Sequence, residues 1–404
     1  MLAHSDEVWV LTRSNNRGPI ESESASRRPG LHFVYYDLPL WVLKLKKQAW
    51  FFYVYLVLWQ WGAYRCAARL HRGTPFDRVY HVTFAGMLSG SFMGRLGIPF
   101  VVGPIAGGER APFPLRRSMP LSRQFYELLR DAGILLQRFS PLARSAFASA
   151  RQIFVTTPQS LRLVAPKWRH KTRVQLAVAI ESRSRGNPLR KSANFPRFVF
   201  AGNLFHLKGV HLAIKALAET RDSLPGATLT LIGDGRDDRW LREMASRYGV
   251  ADSVHFIGRL PRQLLLDSMS EYTALVFPSL HDSGGFVVLE ALAAGLPVIC
   301  LDLGGPGIMI NDFCGIVVST SGAAEAQVVN GIAKAMISIA SMPAAGMEAL
   351  STGALARAKE LSWTNLTACI MGDPGRGAAM QSGEAAKTEP SRDAGIDGWK
   401  RTGK

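Results

Sequence analysis

Short β-branched and aromatic runs recur along this chain, each separated from the next by a segment long enough to hold a helix. That alternation restricts the fold more than any other feature. In the first part the runs are Val8–Thr12, His32–Leu38, Arg78–Thr83, Pro99–Pro104, Ile153–Thr157 and Val174–Ile180. A second series opens at Arg197 with RFVFAGN and continues with TLTLIGDG (228–235), VHFIGR (254–259), ALVFPS (274–279), PVICLDL (297–303) and GIVVS (315–319). Strands alternating with helical segments read as βαβ units on parallel sheets. The series are divided by Glu181–Pro196, ESRSRGNPLRKSANFP, a polar stretch with the composition of a linker. The expected fold class is therefore α/β, with one doubly wound domain over 1–180, a linker over 181–196 and a second doubly wound domain over 197–371. Residues 372–404 are small, polar and Gly-rich and read as a disordered tail. A length of 404 residues suits two domains and a tail. Open α/β sheets bind ligands outside the carboxyl ends of their strands, so chemistry is sought in the loops that follow strands.

The formal charge of +17 and a pI near 10.1 favour anionic partners. The Arg and Lys residues are dispersed and form no nucleic-acid module, so nucleic acid is not an expected partner. Cys66, Cys300, Cys314 and Cys369 form no C-x-x-C and lie mostly in apolar runs, which reads as reduced core cysteines in the cytoplasm. Met1–Arg13 lacks the basic start, apolar block and cleavage site of a signal peptide. Ala49–Tyr64, AWFFYVYLVLWQWGAY, is flanked by Lys44, Lys46 and Lys47 before it and Arg65, Arg69, His71 and Arg72 after it. It is shorter than the roughly 20 residues that span a bilayer, and its Trp and Tyr content suits the headgroup boundary. An interfacial helix at 49–64 is the expectation, with a buried domain helix as the alternative that periodicity leaves open. An anionic inner-membrane surface thus joins the expected partners.

The densest chemistry lies in FPSLHDSGGFVVLEALAAGLPVI, Phe277 to Ile299. A strand ends at Pro278, a polar loop carries Asp282, Gly284 and Gly285 follow, and an apolar helix from about Phe286 bears Glu290. Glycines entering a helix let backbone N–H groups approach an anion, and the helix start adds partial positive charge, so the block reads as a phosphate cradle. Asp282 and Glu290 add acceptors for sugar and ribose hydroxyls. Carboxylates that merely complement the helix dipole are the plainer alternative for each residue taken alone.

Here the chain resembles glycosyltransferase family 4, the group 1 glycosyltransferases, with the pattern P-S-x-x-E-G-F-G-x-x-x-x-E-A-x-A-x-G-x-P-V-I. The matches are Pro278, Ser279, Gly284, Glu290, Ala291, Ala293, Gly295, Pro297, Val298 and Ile299. The resemblance implies the GT-B fold, two Rossmann-like domains facing across a cleft, and transfer of a sugar from a nucleotide-sugar. It also implies retention of anomeric configuration, no metal and no cofactor beyond the nucleotide-sugar co-substrate. By resemblance Asp282 meets the transferred sugar and Glu290 the ribose. Asp282 is one methylene shorter than the usual Glu, and the loop reads GGF where GFG is common.

A second match is FVFAGNLFHLKGV, Phe198 to Val210, which resembles the family's G-R-L-x-x-x-K-G segment. Lys208 takes the diphosphate-holding lysine position beside Gly202, while Asn203 stands where an arginine is usual. Gly233 in IGDG and Arg259 in FIGRL match segments lining the nucleotide pocket, and Phe286 opens the cradle helix. The carboxylates of GDGRDD read as acidic residues opening a helix rather than as a metal-binding pair. In the amino half, VYHVTF carries His81 and GPIAGGERAP spans 103–112. These resemble the family subset with H-V-T and G-P-x-G-G-G-E, which implies that His81 approaches the sugar or acceptor. On the same basis Gly107, Gly108, Glu109 and Arg110 shape the acceptor loop.

The candidate catalytic residues are thus His81, Asp282 and Lys208, with a saccharide or lipid-linked acceptor and a role in cell-surface polysaccharide synthesis. The alternative is an inactive membrane-associated binding protein on the same scaffold. No strand is followed by G-x-G-x-x-G, against a dehydrogenase, and no carboxylate pair can be placed across a scissile bond, against a glycosidase. HSDEVWVLTR at 4–13 reads as the second strand of such a domain, and the usual first strand with its Gly-rich turn has no counterpart before it. The expectation is an amino-terminal domain lacking its first strand, with the missing unit encoded upstream.

Overall fold

The computed structural model describes residues 6–23, 28–45, 51–82, 90–137, 139–181 and 195–372. Thr83, the lysines at 46 and 47, most of the expected linker and the tail after Gly372 lie outside them. Met1–Leu366 form one compact unit and Thr367–Lys404 a second, whose described residues are helical to Met371.

The strands are β1 Val8–Thr12, β2 Leu31–Tyr35, β3 Val79–His81, β4 Phe100–Ile105, β5 Gln152–Val155, β6 Thr172–Val174, β7 Arg197–Ala201, β8 Thr228–Ile232, β9 Val254–Gly258, β10 Ala274–Phe277, β11 Val298–Leu301 and β12 Gly315–Val318. The helices of the amino half are α1 Arg17–Ser22, α2 Leu40–Leu45, α3 Phe52–Gly73, α4 Leu121–Gln137 and α5 Pro141–Ser149. Those of the carboxyl half are α6 Val210–Glu219, α7 Asp238–Arg247, α8 Arg262–Ser268, α9 Phe286–Ala293, α10 Pro306–Met309, α11 Glu325–Ala340, α12 Ala344–Glu360 and α13 Trp363–Met371.

The carboxyl half carries a six-stranded sheet in the order β12-β11-β10-β7-β8-β9, parallel throughout. Chain order reverses between β7 and β10, which pair through Phe198 with Ala274 and Val199 with Leu275. Such a reversal leaves a crevice at the carboxyl ends of the two strands, and the Lys208 and Asp282 loops both leave from there. These strands are apolar on both faces, as parallel strands covered by helices must be: Phe198, Phe200, Leu275 and Val276 are fully buried.

The amino half has two parallel sheets, β1-β2 and β3-β4-β5-β6. In the doubly wound order a central strand would run between β1 and β3; among the described residues none does, and the sheet is split there. A separate apolar core joins this half, formed by Tyr55, Trp59 and Ala63 of α3, Phe100 and Val102 of β4, Ile153 of β5 and Phe147 of α5.

Two expectations need correction, and one is met by half of each alternative. Of the segment at 49–64, Ala49 and Trp50 lie outside the described residues; α3 begins at Phe52, runs to Gly73 and turns Tyr55, Leu56, Trp59, Ala63 and Ala67 into the core at helical spacing, as the buried alternative has it. Its other face leaves Phe52, Tyr53, Val54, Leu58 and Trp61 exposed. The run Val174–Ile180 is not a strand, since β6 ends at Val174 and Leu176 and Val178 pack instead into the carboxyl core. Only Cys300 and Cys314 are buried; Cys66 and Cys369 are half-exposed.

Candidate active site

The loop after β10 folds around the carboxylate of Asp282. Its Oδ1 accepts the backbone N–H groups of Gly284 at 3.0 Å and Gly285 at 2.9 Å, while Oδ2 meets Lys208 Nζ at 2.5 Å. Gly285, at φ +68, is the N-cap of α9, a backbone conformation that a β-carbon disfavours. Lys208 closes the 3₁₀ turn His206–Lys208, and its ammonium lies 5.6 Å from the Phe277 ring centroid. Leu280 N–H donates to the Leu207 carbonyl at 2.9 Å, stitching this turn to the Asp282 loop. Gly209 must be glycine, because a β-carbon there would stand 1.9 Å from the Pro278 carbonyl oxygen. The groups assigned to phosphate from the sequence thus converge on one anion, and the anion they hold here is Asp282.

Glu290, on the second turn of α9, is 8% exposed and accepts from Arg262 Nε at 2.8 Å. Arg262 opens α8, where a cation opposes the helix dipole, and the Glu290 carboxylate offsets that charge. Gly202 and Asn203 are exposed at the end of β7, beside Gly233, whose backbone lies against the Gly202 carbonyl. Arg259 pairs with Asp234 at 2.5 Å on the rim, and Phe286 is 56% exposed at the mouth of α9. These donor-side residues lie on the loops after β7, β8, β9 and β10, all at the carboxyl ends of neighbouring strands.

In the amino half, Glu109 is 2% exposed and gathers the Gly107 N–H at 3.0 Å and the hydroxyls of Thr157 at 2.8 Å, Ser160 at 2.9 Å and Thr156 at 3.3 Å. Gly108 donates to Ser160 Oγ, and a β-carbon on it would strike the Ser160 backbone. Arg110 pairs with Asp131 of α4 at 3.2 Å. The carboxylate of Glu109 also faces Nε2 of His281 at 3.8 Å, so this loop and the Asp282 loop meet. His81 is placed differently: it is buried at the end of β3, with Nδ1 2.8 Å from Ser91 Oγ and Nε2 3.4 Å from Gln60 Nε2 of α3. Both ring nitrogens face side chains of the amino half.

Several residues of the site escape sequence reasoning. His281 directly precedes Asp282; burial first, then the positive charge of Arg130, lowers its pKa, while Glu109, Glu127 and Asp282 act against that. Asp237 does not simply open a helix. It is 4% exposed, pairs with Arg123 of α4 at 2.7 Å and accepts the His206 backbone N–H at 2.7 Å. Glu127 of α4 is fully buried, 3.5 Å from Nε2 of His206 and 3.3 Å from Arg130.

Residues 185–339 match the family model described as glycosyl transferases group 1. A glycogen synthase of Mycobacterium tuberculosis is 36% identical over 148 residues, 36% of this chain and 34% of its own length. A 2-deoxystreptamine glucosyltransferase of Streptomyces kanamyceticus is 26% identical over 264 residues, 61% of this chain and 65% of its own length. The chain therefore spans about a third of the first relative and just under two thirds of the second. Among solved structures, HepE of Anabaena in complex with UDP matches with a TM-score of 0.55 at 15% identity, covering 90% of this chain and 98% of that one. The lipopolysaccharide outer core galactosyltransferase WaaB matches at 0.54 and 13% identity, covering 89% and 96%. The chain has the GT-B fold.

Proposed function

We propose that this chain is a glycosyltransferase whose carboxyl half binds a nucleotide-sugar and whose amino half receives a saccharide or lipid-linked acceptor. The observation that carries the reading is the seat of Asp282: two glycine N–H groups at the mouth of α9 and the ammonium of Lys208 already converge on one anionic group. The match of residues 185–339 to a glycosyltransferase family model supports the same assignment.

In this mechanism the donor diphosphate takes over Lys208 and the Gly284 and Gly285 N–H groups. Asp282, released from them, accepts a hydroxyl of the transferred sugar, and Glu290 accepts the ribose hydroxyls in place of Arg262. Negative charge that develops as the nucleotide leaves falls on Lys208 and the start of α9, both fixed before reaction, which is the efficient way to stabilise it. Transfer proceeds with retention and draws on no cofactor or metal, as the family resemblance implies. The Glu109-centred loop, held by the Gly107 N–H and by three hydroxyls of the segment after β5, presents the acceptor side.

The same proposal places the protein at the inner face of a membrane, in cell-surface polysaccharide synthesis. Among the described residues no single helix is long and apolar enough to cross a bilayer. Support for peripheral contact comes from the exposed aromatic face of α3 and from α4, which leaves Leu121, Phe125, Leu128, Leu129, Leu135 and Leu136 exposed. Both described carboxylates of α4 are turned inward and paired with arginines, so the helix puts little negative charge on that face to repel an anionic surface.

Screening nucleotide-sugars for a rise in melting temperature, followed by a transfer assay with any that bind, tests the reading. Stabilisation by one nucleotide-sugar and turnover of it are expected. A chain that binds none of them is not this enzyme.

A further inference from the structure

Helix α4 is turned the unusual way round. Its leucines face outward, and on the other side Arg123, Tyr126 and Glu127, at spacings of three and four, meet the loops of the carboxyl half, while Arg130 pairs with Glu127 and donates to the Glu109 carbonyl. The target of that stripe is His206. Its imidazole is fully buried, with Nε2 3.5 Å from Glu127 Oε1, Nδ1 3.4 Å from Asp237 Oδ2 and the Tyr126 ring edge-on at 6.4 Å. Asp237 is itself held from α4, by Arg123 at 2.7 Å. Both carboxylates that flank the ring therefore depend on one helix of the amino half.

His206 is the first residue of the three-residue turn that ends in Lys208. A turn this short transmits the position of one end to the other, and Gly209 after it is confined against Pro278. The contacts of His206 are close but poorly aligned: among the described residues both ring nitrogens of His206, both carboxylate oxygens of Glu127 and two guanidinium nitrogens of Arg130 are buried without a hydrogen-bond partner. Buried groups left in this state gain more than exposed ones from a small approach, because little water competes and each missing bond is costly. The family pattern leaves the position of His206 unspecified.

We propose that Glu127, acting through His206, is a positioning residue for Lys208, so that the cation meeting the donor diphosphate is set by α4 of the opposite half. The proposal rests on the donor-site reading above. Lys208 would lie where the diphosphate needs it only while Glu127 and Asp237 hold His206 between them, and ligands lacking the second phosphate would be indifferent to the contact.

Isothermal titration of the full chain with UDP and ADP, and with UMP and AMP, tests this in wild type, Glu127→Gln, His206→Asn, Lys208→Ala and Glu127→Gln/Lys208→Ala. Glu127→Gln, which keeps the shape of the side chain, is expected to weaken binding of the preferred diphosphate about tenfold, the size of one charged contact, and to leave the monophosphate unchanged. His206→Asn should do the same. The double variant should lose little beyond Lys208→Ala alone, since groups acting through one another are not additive. Amide exchange without ligand should quicken at residues 206–210 in Glu127→Gln while β7 and β8 stay protected. Unchanged diphosphate affinity, a loss that adds fully to that of Lys208→Ala, or exchange quickened equally in β7 and β8 overturns the proposal. A wild-type chain that binds none of the four nucleotides overturns the donor-site reading itself, an outcome distinct from wild-type binding that Glu127→Gln leaves intact.

Discussion

Replacing His211 by leucine should remove a defined part of the acid sensitivity of the carboxyl half. His211 lies in the first turn of α6, directly after the Lys208 turn, and is 0% exposed, its ring 5.2 Å from that of Trp240. Among the described residues neither ring nitrogen has a hydrogen-bond partner. Burial first, then the charges of Lys215 and His206, push its pKa from 6.5 to about 3. The unfolded chain takes up a proton near the ordinary value, while the native state refuses it until far lower pH. The contribution of this residue to stability is therefore intact above about pH 6.5 and is lost progressively as the pH falls towards about 3. One proton gives a slope of about 1.4 kcal/mol per pH unit, or about 2 kcal/mol lost at pH 5. That is a large share of a margin of roughly 5 to 15 kcal/mol. Urea unfolding of wild type and His211→Leu at pH 7.5 and pH 5.0 reads it, because titrating groups away from His211 cancel in the comparison. The variant should gain about 2 kcal/mol on wild type between the two pH values. Parallel pH dependences would refute the reasoning, because they would mean that the imidazole is solvated or paired in the native state.

Three further outcomes follow from the site and its surroundings. Lys208→Ala and Glu290→Ala should each lower transfer by roughly 10- to 150-fold, the equivalent of one charged contact, with unchanged melting temperature; product formation at saturating acceptor is the measure, and wild-type turnover in both would mean the site is misassigned. The protein should float with vesicles containing anionic lipid and stay behind with neutral vesicles, and Leu128→Glu together with Leu135→Glu should abolish flotation; binding that survives both charges would remove α4 from the contact. Gly209→Ala should weaken folding or donor binding measurably, since the added β-carbon meets the Pro278 carbonyl at 1.9 Å in a left-handed conformation; a variant with wild-type melting and donor affinity would show that the turn can relax.

The carboxyl half was legible because its signals are local. Each strand from β7 to β12 is a short apolar run ended by Gly, Pro or a charged loop, and the Asp282, Gly284, Gly285 and Glu290 block is a continuous strand-loop-helix unit. The amino half was less so. Val174–Ile180 reads as one strand, yet it crosses from the edge of one sheet at Val174 to the core of the other half at Leu176 and Val178; an apolar run records burial without recording which core supplies it. Likewise the apolar crowding of Phe52 to Tyr64 could not say that one face is core and the other exposed, because nearly every position is apolar and periodicity needs contrast.

Helix α4 shows the limit most sharply, because its periodicity is clear and points the wrong way. Leu121, Phe125, Leu128, Leu129, Leu135 and Leu136 make the stripe that an ordinary amphipathic helix buries, and Arg123, Glu127 and Arg130 the face it gives to water. The structure reverses this because the neighbour waiting for α4 is a set of charged loops rather than a sheet. Asp237 and His206 supply partners that let Arg123 and Glu127 leave water, and the Glu109 carbonyl accepts from Arg130 at 3.0 Å. Of seventeen residues only Glu127 and Ile134 are buried, so the helix is held by polar contacts that are distant in sequence and invisible to any local pattern. A leucine stripe exposed for such a reason cannot be folded back into the core without pulling Glu127 off His206. If a bilayer takes up that stripe, as proposed, it stabilises the same orientation of α4 that holds the Lys208 turn, and membrane contact and donor affinity should rise together.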